Sequence, residues 1–171
     1  MKSTPPNHTI MENTNELQAT IERVIQQLND FYNGDNWVTD NLEKKIFPLE
    51  SSVALKKVQG HSHSIAELLS HITAWRNFAV QKLNGNNGFD IEDNSAGDWP
   101  EAVDWDTIRR EFEECHQRLL TAIKNFLVEQ WHTKVAGRNY SFVYLINGIV
   151  EHDYYHYGQI GSVLAAIKKA E

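Results

Sequence analysis

The stretch NGIVEHDYYHYGQIGSVLAAIK, residues 147–168, carries an apolar stripe with helical spacing. Leu145, Ile149, His152, His156, Ile160, Val163 and Ile167 follow one another at steps of four, three, four, four, three and four. Such steps keep one face of a helix turned toward a core. Two of the seven stripe positions are histidines, and a spacing of four stacks them one turn apart, with Cβ atoms about 5–6 Å from each other. Two imidazoles so placed can grip one metal ion. A buried stripe that carries two polar rings breaks the pattern of the helix, and such breaks mark functional positions.

Three further helices can be read upstream. Residues 1–12 are polar, contain Pro5 and Pro6, and read as a loose tail. Residues 13–171 read as a single domain. The first helix is expected over Asn13–Phe31, with Leu17, Ile21, Val24, Ile25, Leu28 and Phe31 in step. Asn13 and Glu16 have the spacing of a capping box, and Gly34 stands where a helix end favours glycine. The connection 34–62 is long and is expected to hold a short helix within Asn36–Phe47. Ser64-Ile65-Ala66-Glu67 is a second capping box and opens a helix that runs to Leu83. Its stripe is Ile65, Leu68, Ile72, Trp75 and Ala79, with His71 on the same side. Residues 85–103 read as a loop rich in Gly, Asn and Asp. The third helix is expected over Trp105–Val128, and Ser141 caps the fourth. No strand pattern is present, so the sequence predicts an all-α four-helix bundle with long connections after the first and second helices.

Composition excludes several classes. The 171 residues suit one domain with a real core, and 41% hydrophobic with 23% charged residues is ordinary for a globular protein. A net charge of −7 opposes binding of nucleic acid through its phosphates. The single cysteine, Cys115, permits no intramolecular disulfide and fits a reducing compartment. No apolar run reaches the roughly 20 residues of a membrane span. Together with an N-terminus that lacks the apolar segment of a signal peptide, this gives a cytoplasmic protein as the expectation.

The chemistry centres on the histidines. His152-Asp153-Tyr154-Tyr155-His156 has the spacing of the zinc motif H-E-x-x-H, with aspartate in place of glutamate. Aspartate is one methylene shorter and reaches a metal-bound water less well, which opposes the zinc-protease reading; only 15 residues follow His156, with Glu171 the one carboxylate among them, so a third ligand must come from upstream. His71, on the core side of the second helix, is the natural candidate. A lone buried histidine is more often a hydrogen-bonded core ring than a ligand. Three on the stripes of two helices, two of them four apart, favour a metal. Three facial nitrogens leave a coordination position for water or substrate. His116, on the stripe of the third helix, could be a fourth ligand or, with Asp153, could move protons near the metal. It also suits a half-exposed boundary ring. His61 and His63 read as loop and cap residues, His8 lies in the tail and His132 in a turn. Gln159, three residues after His156, could orient that ring. Glu67 is accounted for by its cap. Cys115 reads as a small core residue.

HSIAELLSHITAWRNF at residues 63–78, DWP at 98–100 and GIVEHDYYHYGQI at 148–160 resemble the DinB/YfiT-like superfamily of small bacterial helical-bundle metalloproteins. The likeness extends from Leu17 to Ile167. It implies a four-helix bundle that holds a divalent transition metal, zinc or nickel foremost, on residues matching His71, His152 and His156. It implies enzymes of two kinds: thiol-dependent S-transferases that use low-molecular-weight thiols, and metal-dependent hydrolases. It also implies a homodimer. The expected function is therefore transfer of a small electrophile to a low-molecular-weight thiol, with hydrolysis second and a non-catalytic metal-binding stress protein third. A metal on neutral imidazoles keeps its positive charge and favours bound thiolate over thiol. That would supply a nucleophile without a protein cysteine. Expected partners are small molecules, not nucleic acid or membrane.

Overall fold

The computed structural model describes the backbone of residues 6–38 and 40–170, and side chains within that range from residue 15 onward. Among the described residues the chain is all-helical. The elements are α1 (Pro6–Tyr32), α2 (Leu42–Lys45), α3 (Ser51–Ala54), α4 (Ile65–Leu83), α5 (Trp105–Asn125) and α6 (Phe142–Ala170). A 3-10 turn covers Val128–Gln130, and an isolated bridge joins Lys134 to Ser141. α4 lies along both α5 and α6, and α1 packs on α6 and on α5. None of these helices is long and apolar enough to cross a membrane.

Local signals fix several ends. Ser64 and Glu67 form the reciprocal capping box that the sequence predicts: Glu67 N donates to Ser64 Oγ at 3.2 Å, and Ser64 N donates to Glu67 Oε2 at 2.7 Å. Ser141 Oγ accepts from Tyr144 N at 3.3 Å at the start of α6. A Cβ on Gly34 would stand 2.9 Å from Asp30 Cα, so only glycine lets the chain leave α1 this closely.

Two boundaries differ from the sequence reading. α1 begins at Pro6 rather than Asn13; proline suits a first turn, where its missing N–H is not needed. Asn13 is thereby inside the helix, and its side chain lies outside the described residues, as do residues 1–5 of the expected tail. α5 stops at Asn125, because Phe126 and Leu127 turn to extended backbone. The first connection holds the short helix expected within 36–47, which is α2, and adds a second single turn, α3, beyond it. Asn41 anchors the first by accepting from Lys44 N at 2.9 Å and donating to Gly34 O at 2.9 Å. This connection is packed, not loose: Leu42 and Ile46 are fully buried, and Tyr157 Oη donates to Asp40 O at 2.7 Å.

The core divides into two apolar clusters along the helices. One gathers Val24, Leu28, Phe78, Leu119, Ile123 and Ile146; the other gathers Phe31, Leu42, Leu69, Phe112, Ile160 and Val163. Between them each long helix contributes one polar side chain. Arg76 of α4 donates from Nε and Nη2 to Asp153 Oδ2 of α6 at 3.0 and 2.7 Å. Its Nη1 donates to His116 Nδ1 of α5 at 2.9 Å, and His116 Nε2 reaches Asn29 Oδ1 of α1 at 3.3 Å. The guanidinium also lies over the rings of Phe31 and Phe112, 5.1 and 4.6 Å from their centroids. Arg76, Asp153 and His116 are all buried. A buried ion pair adds little net stability over a well-packed apolar substitute, yet losing one partner strands a charge. Arg76→Ala should therefore cost about 3–5 kcal/mol of unfolding free energy in urea titrations. A loss below about 1 kcal/mol, the level of a surface ion pair, would show that this layer does not hold the helices together.

Candidate metal centre

His71 sits near the middle of α4, and His152 and His156 lie one turn apart on α6. Because α4 and α6 pack together, the three rings converge. His71 Nε2 lies 3.0 Å from His152 Nε2 and 3.1 Å from His156 Nε2. One ligand atom from each ring falls within 4.8 Å of the other two, and no fourth His, Cys, Asp or Glu joins the group among the described residues. His71 and His156 are buried; His152 is half-buried.

Proton bookkeeping gives this contact its meaning. His71 Nδ1 faces two oxygens of Asp98, the backbone carbonyl at 2.8 Å and Oδ1 at 3.1 Å. Oxygen acceptors there put the proton on Nδ1 and leave a lone pair on Nε2. His156 Nδ1 likewise donates to Gln159 Oε1 at 2.7 Å, which leaves its Nε2 bare. With both rings neutral, two lone pairs face each other at 3.1 Å between His71 and His156. His152 can supply one proton at most, and its Nδ1 is a buried atom with no partner. Protonating His152 or His156 further is opposed by the site itself. Burial first, then the neighbouring His156 and His71, pushes the His152 pKa down to about 3. Burial also lowers that of His156, against the hydrogen bond to Gln159. Neutral imidazoles with inward lone pairs are the form that binds a divalent cation. The donor set fits such an ion, held by Nε2 of all three rings.

The surroundings lock the rings in place. Asp98 is buried and is itself held, its Oδ1 accepting from Trp75 Nε1 at 2.8 Å and its Oδ2 from Asn94 N at 2.9 Å. Trp99 stacks flat on His71, with centroids 3.9 Å apart and planes within 8°. His63 stacks on Trp99 as well, at 3.6 Å and 8°. His63, which reads from sequence as a loop or cap residue, thus borders the centre without entering it.

Two clefts open beside the triad. One, of about 450 Å³, is bordered by His61, Ser62, His63, Tyr155, His156 and Gln159. The other, of about 210 Å³, is bordered by Trp75, Tyr140, Tyr144, Gly148, Ile149 and His152. A separate groove of about 530 Å³ between α4, α5 and the loop before α5 touches none of the three histidines.

The remaining candidates lie elsewhere. His116 and Asp153 are bonded to Arg76 in the polar layer. Burial and the Arg76 charge lower the His116 pKa to about 3, so the ring is neutral there. Burial raises the Asp153 pKa while the Arg76 guanidinium opposes it. Cys115 is buried, its Sγ 3.6 Å from Thr73 O, and burial raises its thiol pKa. His61 lines the polar cleft.

The family model of the DinB superfamily matches residues 36–160, a span that contains all three histidines and Asp98. The chain belongs to the DinB superfamily. Neither a curated protein nor a solved structure gives a significant match. Within this DinB chain, Arg76, Asp98 and Trp99 are the residues that reading histidine spacing overlooks. Arg76 was nonetheless legible: it falls four after Ile72 and three before Ala79, on the apolar stripe of its helix.

Residues that orient ligand rings typically govern affinity by about 10–100-fold. Asp98→Ala should therefore weaken zinc binding about 10–100-fold, as measured by competition with a chromogenic chelator. His71→Ala or His156→Ala should abolish stoichiometric binding, and His63→Ala should retain it. Equal zinc retention in all four variants would refute the assignment.

Proposed function

We propose that this chain is a metal-dependent enzyme, a four-helix bundle formed by α1, α4, α5 and α6. It transfers a small electrophile to a low-molecular-weight thiol. Zinc or nickel is the expected ion, since imidazole donors suit both. The observation that carries the reading is the set of three converging Nε2 atoms between two clefts, with no fourth protein ligand among the described residues. Three protein ligands and an open position are the pattern of a catalytic site, whereas structural sites close with four. His116, the candidate for a fourth ligand, is engaged by Arg76 and Asn29.

When bound, the cation supplies positive charge that lowers the pKa of a coordinated thiol or water. The chain's own residues do the rest. Asp98 and Gln159 hold the proton on Nδ1 of His71 and His156, and so keep both rings turned inward. Trp99 covers one face of His71. Asp153 and His116 act through position, by fixing α6 and α5 to Arg76. The thiol must come from outside, because Cys115 is buried in the core and its pKa is raised.

The test is purified, zinc-loaded protein with cysteine or glutathione and chlorodinitrobenzene, run beside His152→Ala. Thiol-dependent turnover that falls to the uncatalysed level in the variant is the expected result. Ester or amide cleavage without thiol would replace the transferase reading with a hydrolase. No metal-dependent turnover on a broad panel would leave a metal-binding protein without catalysis and overturn both enzyme readings.

A further inference from the structure

The two clefts differ in chemistry, and they lie on opposite sides of the triad along the helices. On α6 the smaller cleft is lined by Leu145, Gly148, Ile149 and His152, and the larger by Tyr155, His156, Gln159 and Ser162. On α4 the smaller touches Trp75 and the larger Leu68, with His71 between them in sequence. The metal-binding nitrogens therefore stand midway along a seam with unlike ends.

The smaller end is apolar and aromatic. Trp75, Tyr140 and Tyr144 supply three rings, Leu145 and Ile149 supply aliphatic surface, and no Asp, Glu, Lys or Arg borders it. Its volume of about 210 Å³ is that of a space for one ring or a branched alkyl group; a dry cavity of about 150 Å³ already admits benzene. A helix, about 10 Å across, is too wide for it. The larger end offers His61, Ser62, His63 and Gln159, groups that hydrogen-bond amines, amides and carboxylates. Gly148 keeps the small cleft open: a Cβ built there meets nothing within 4 Å. Glycine inside a helix costs roughly 1 kcal/mol relative to alanine, so the open space is maintained against the helix's own preference.

We infer that the apolar cleft beside His152 is the subsite for an aryl or branched-alkyl group carried by the electrophilic substrate. The polar cleft beside His156 receives the amine, amide or carboxylate groups of the thiol. This division rests on the transferase reading for its two substrates. The cleft's preference for an apolar group follows from its lining alone. With the thiol sulfur and the electrophilic carbon each entering from its own side, the new S–C bond forms at the triad. The leaving group departs with the electron pair of the bond that breaks, and the thiol proton goes to solvent.

The experiment uses 4-chlorobenzyl alcohol, an aryl probe without a leaving group, titrated calorimetrically into the zinc-loaded full chain. The wild type should bind it at one saturable site. Gly148→Leu places an isobutyl group in the cleft and should weaken the probe about tenfold or more. Gly148→Ala should weaken it less. Tyr144→Ala, which removes an exposed ring from the cleft wall, should also weaken it and guards against a Gly148 variant that fails to fold. Zinc content and the KM for cysteine should stay unchanged in all three. No probe binding by the wild type, or equal affinity in wild type and Gly148→Leu, would overturn the assignment. Probe binding that Gly148→Leu abolishes, in a protein without thiol-dependent turnover, would keep the apolar subsite and remove the transferase reading. Turnover that depends on thiol, with probe affinity unmoved by Gly148→Leu, would do the reverse.

Discussion

Lone pairs that face one another repel unless a proton or a cation lies between them. His71, His152 and His156 bring three Nε2 atoms to contacts of 3.0–3.1 Å, in a place where burial holds His152 and His156 neutral. Their opposite ring atoms are not free to relieve this. Asp98 and Gln159 tie the Nδ1 protons of two of them, and Trp99 lies flat against His71. The geometry is thus preorganised for a positive ion, and much of the local structure exists to hold it. The loop before α5 buries Ile91 in the core, and it also delivers both the carboxylate that orients His71 and the indole that covers it.

The layer around Arg76 does the same work on a larger scale. A histidine cluster shared between two helices demands that neither slide nor rotate relative to the other. Apolar packing alone tolerates shifts when volume and pattern are conserved. A guanidinium bonded to Asp153 of α6 and His116 of α5 tolerates far less, because a shift of one turn would strand buried polar groups. Asp153 follows His152 directly, so the bond that fixes Asp153 also fixes which way α6 presents its histidines. The aspartate in the His-Asp-x-x-His motif therefore differs in role from the glutamate of the zinc-protease motif. It points to the inter-helix layer, not to the ligand position.

Much of this was readable from the sequence. The stripe from Leu145 to Ile167 gave the last helix and the two histidines it brings to the cluster, the Ser64–Glu67 box gave the start of α4, and His71 followed from its place among Leu68, Ile72 and Trp75. What was not readable depended on contacts distant in sequence. Nothing local to residues 85–103 says that Asp98 will reach His71, because a loop carries no periodicity. His63 looked like a cap neighbour because its stacking partner, Trp99, is 36 positions away. The Asn13 cap misled because a capping box is a local signal, and α1 continues through it to Pro6. Arg76 and Asp153 were visible in principle as charges on apolar stripes, but only the fold pairs them.

The central claim is that one divalent ion is held by three imidazoles with room for a further ligand. Zinc-edge X-ray absorption on protein loaded with one equivalent tests it most directly. The account predicts three imidazole nitrogens at about 2.0–2.1 Å, with their outer-ring scattering, and one or two light non-imidazole atoms completing the shell. A sulfur at about 2.3 Å from Cys115, a fourth imidazole, or fewer than three would contradict it.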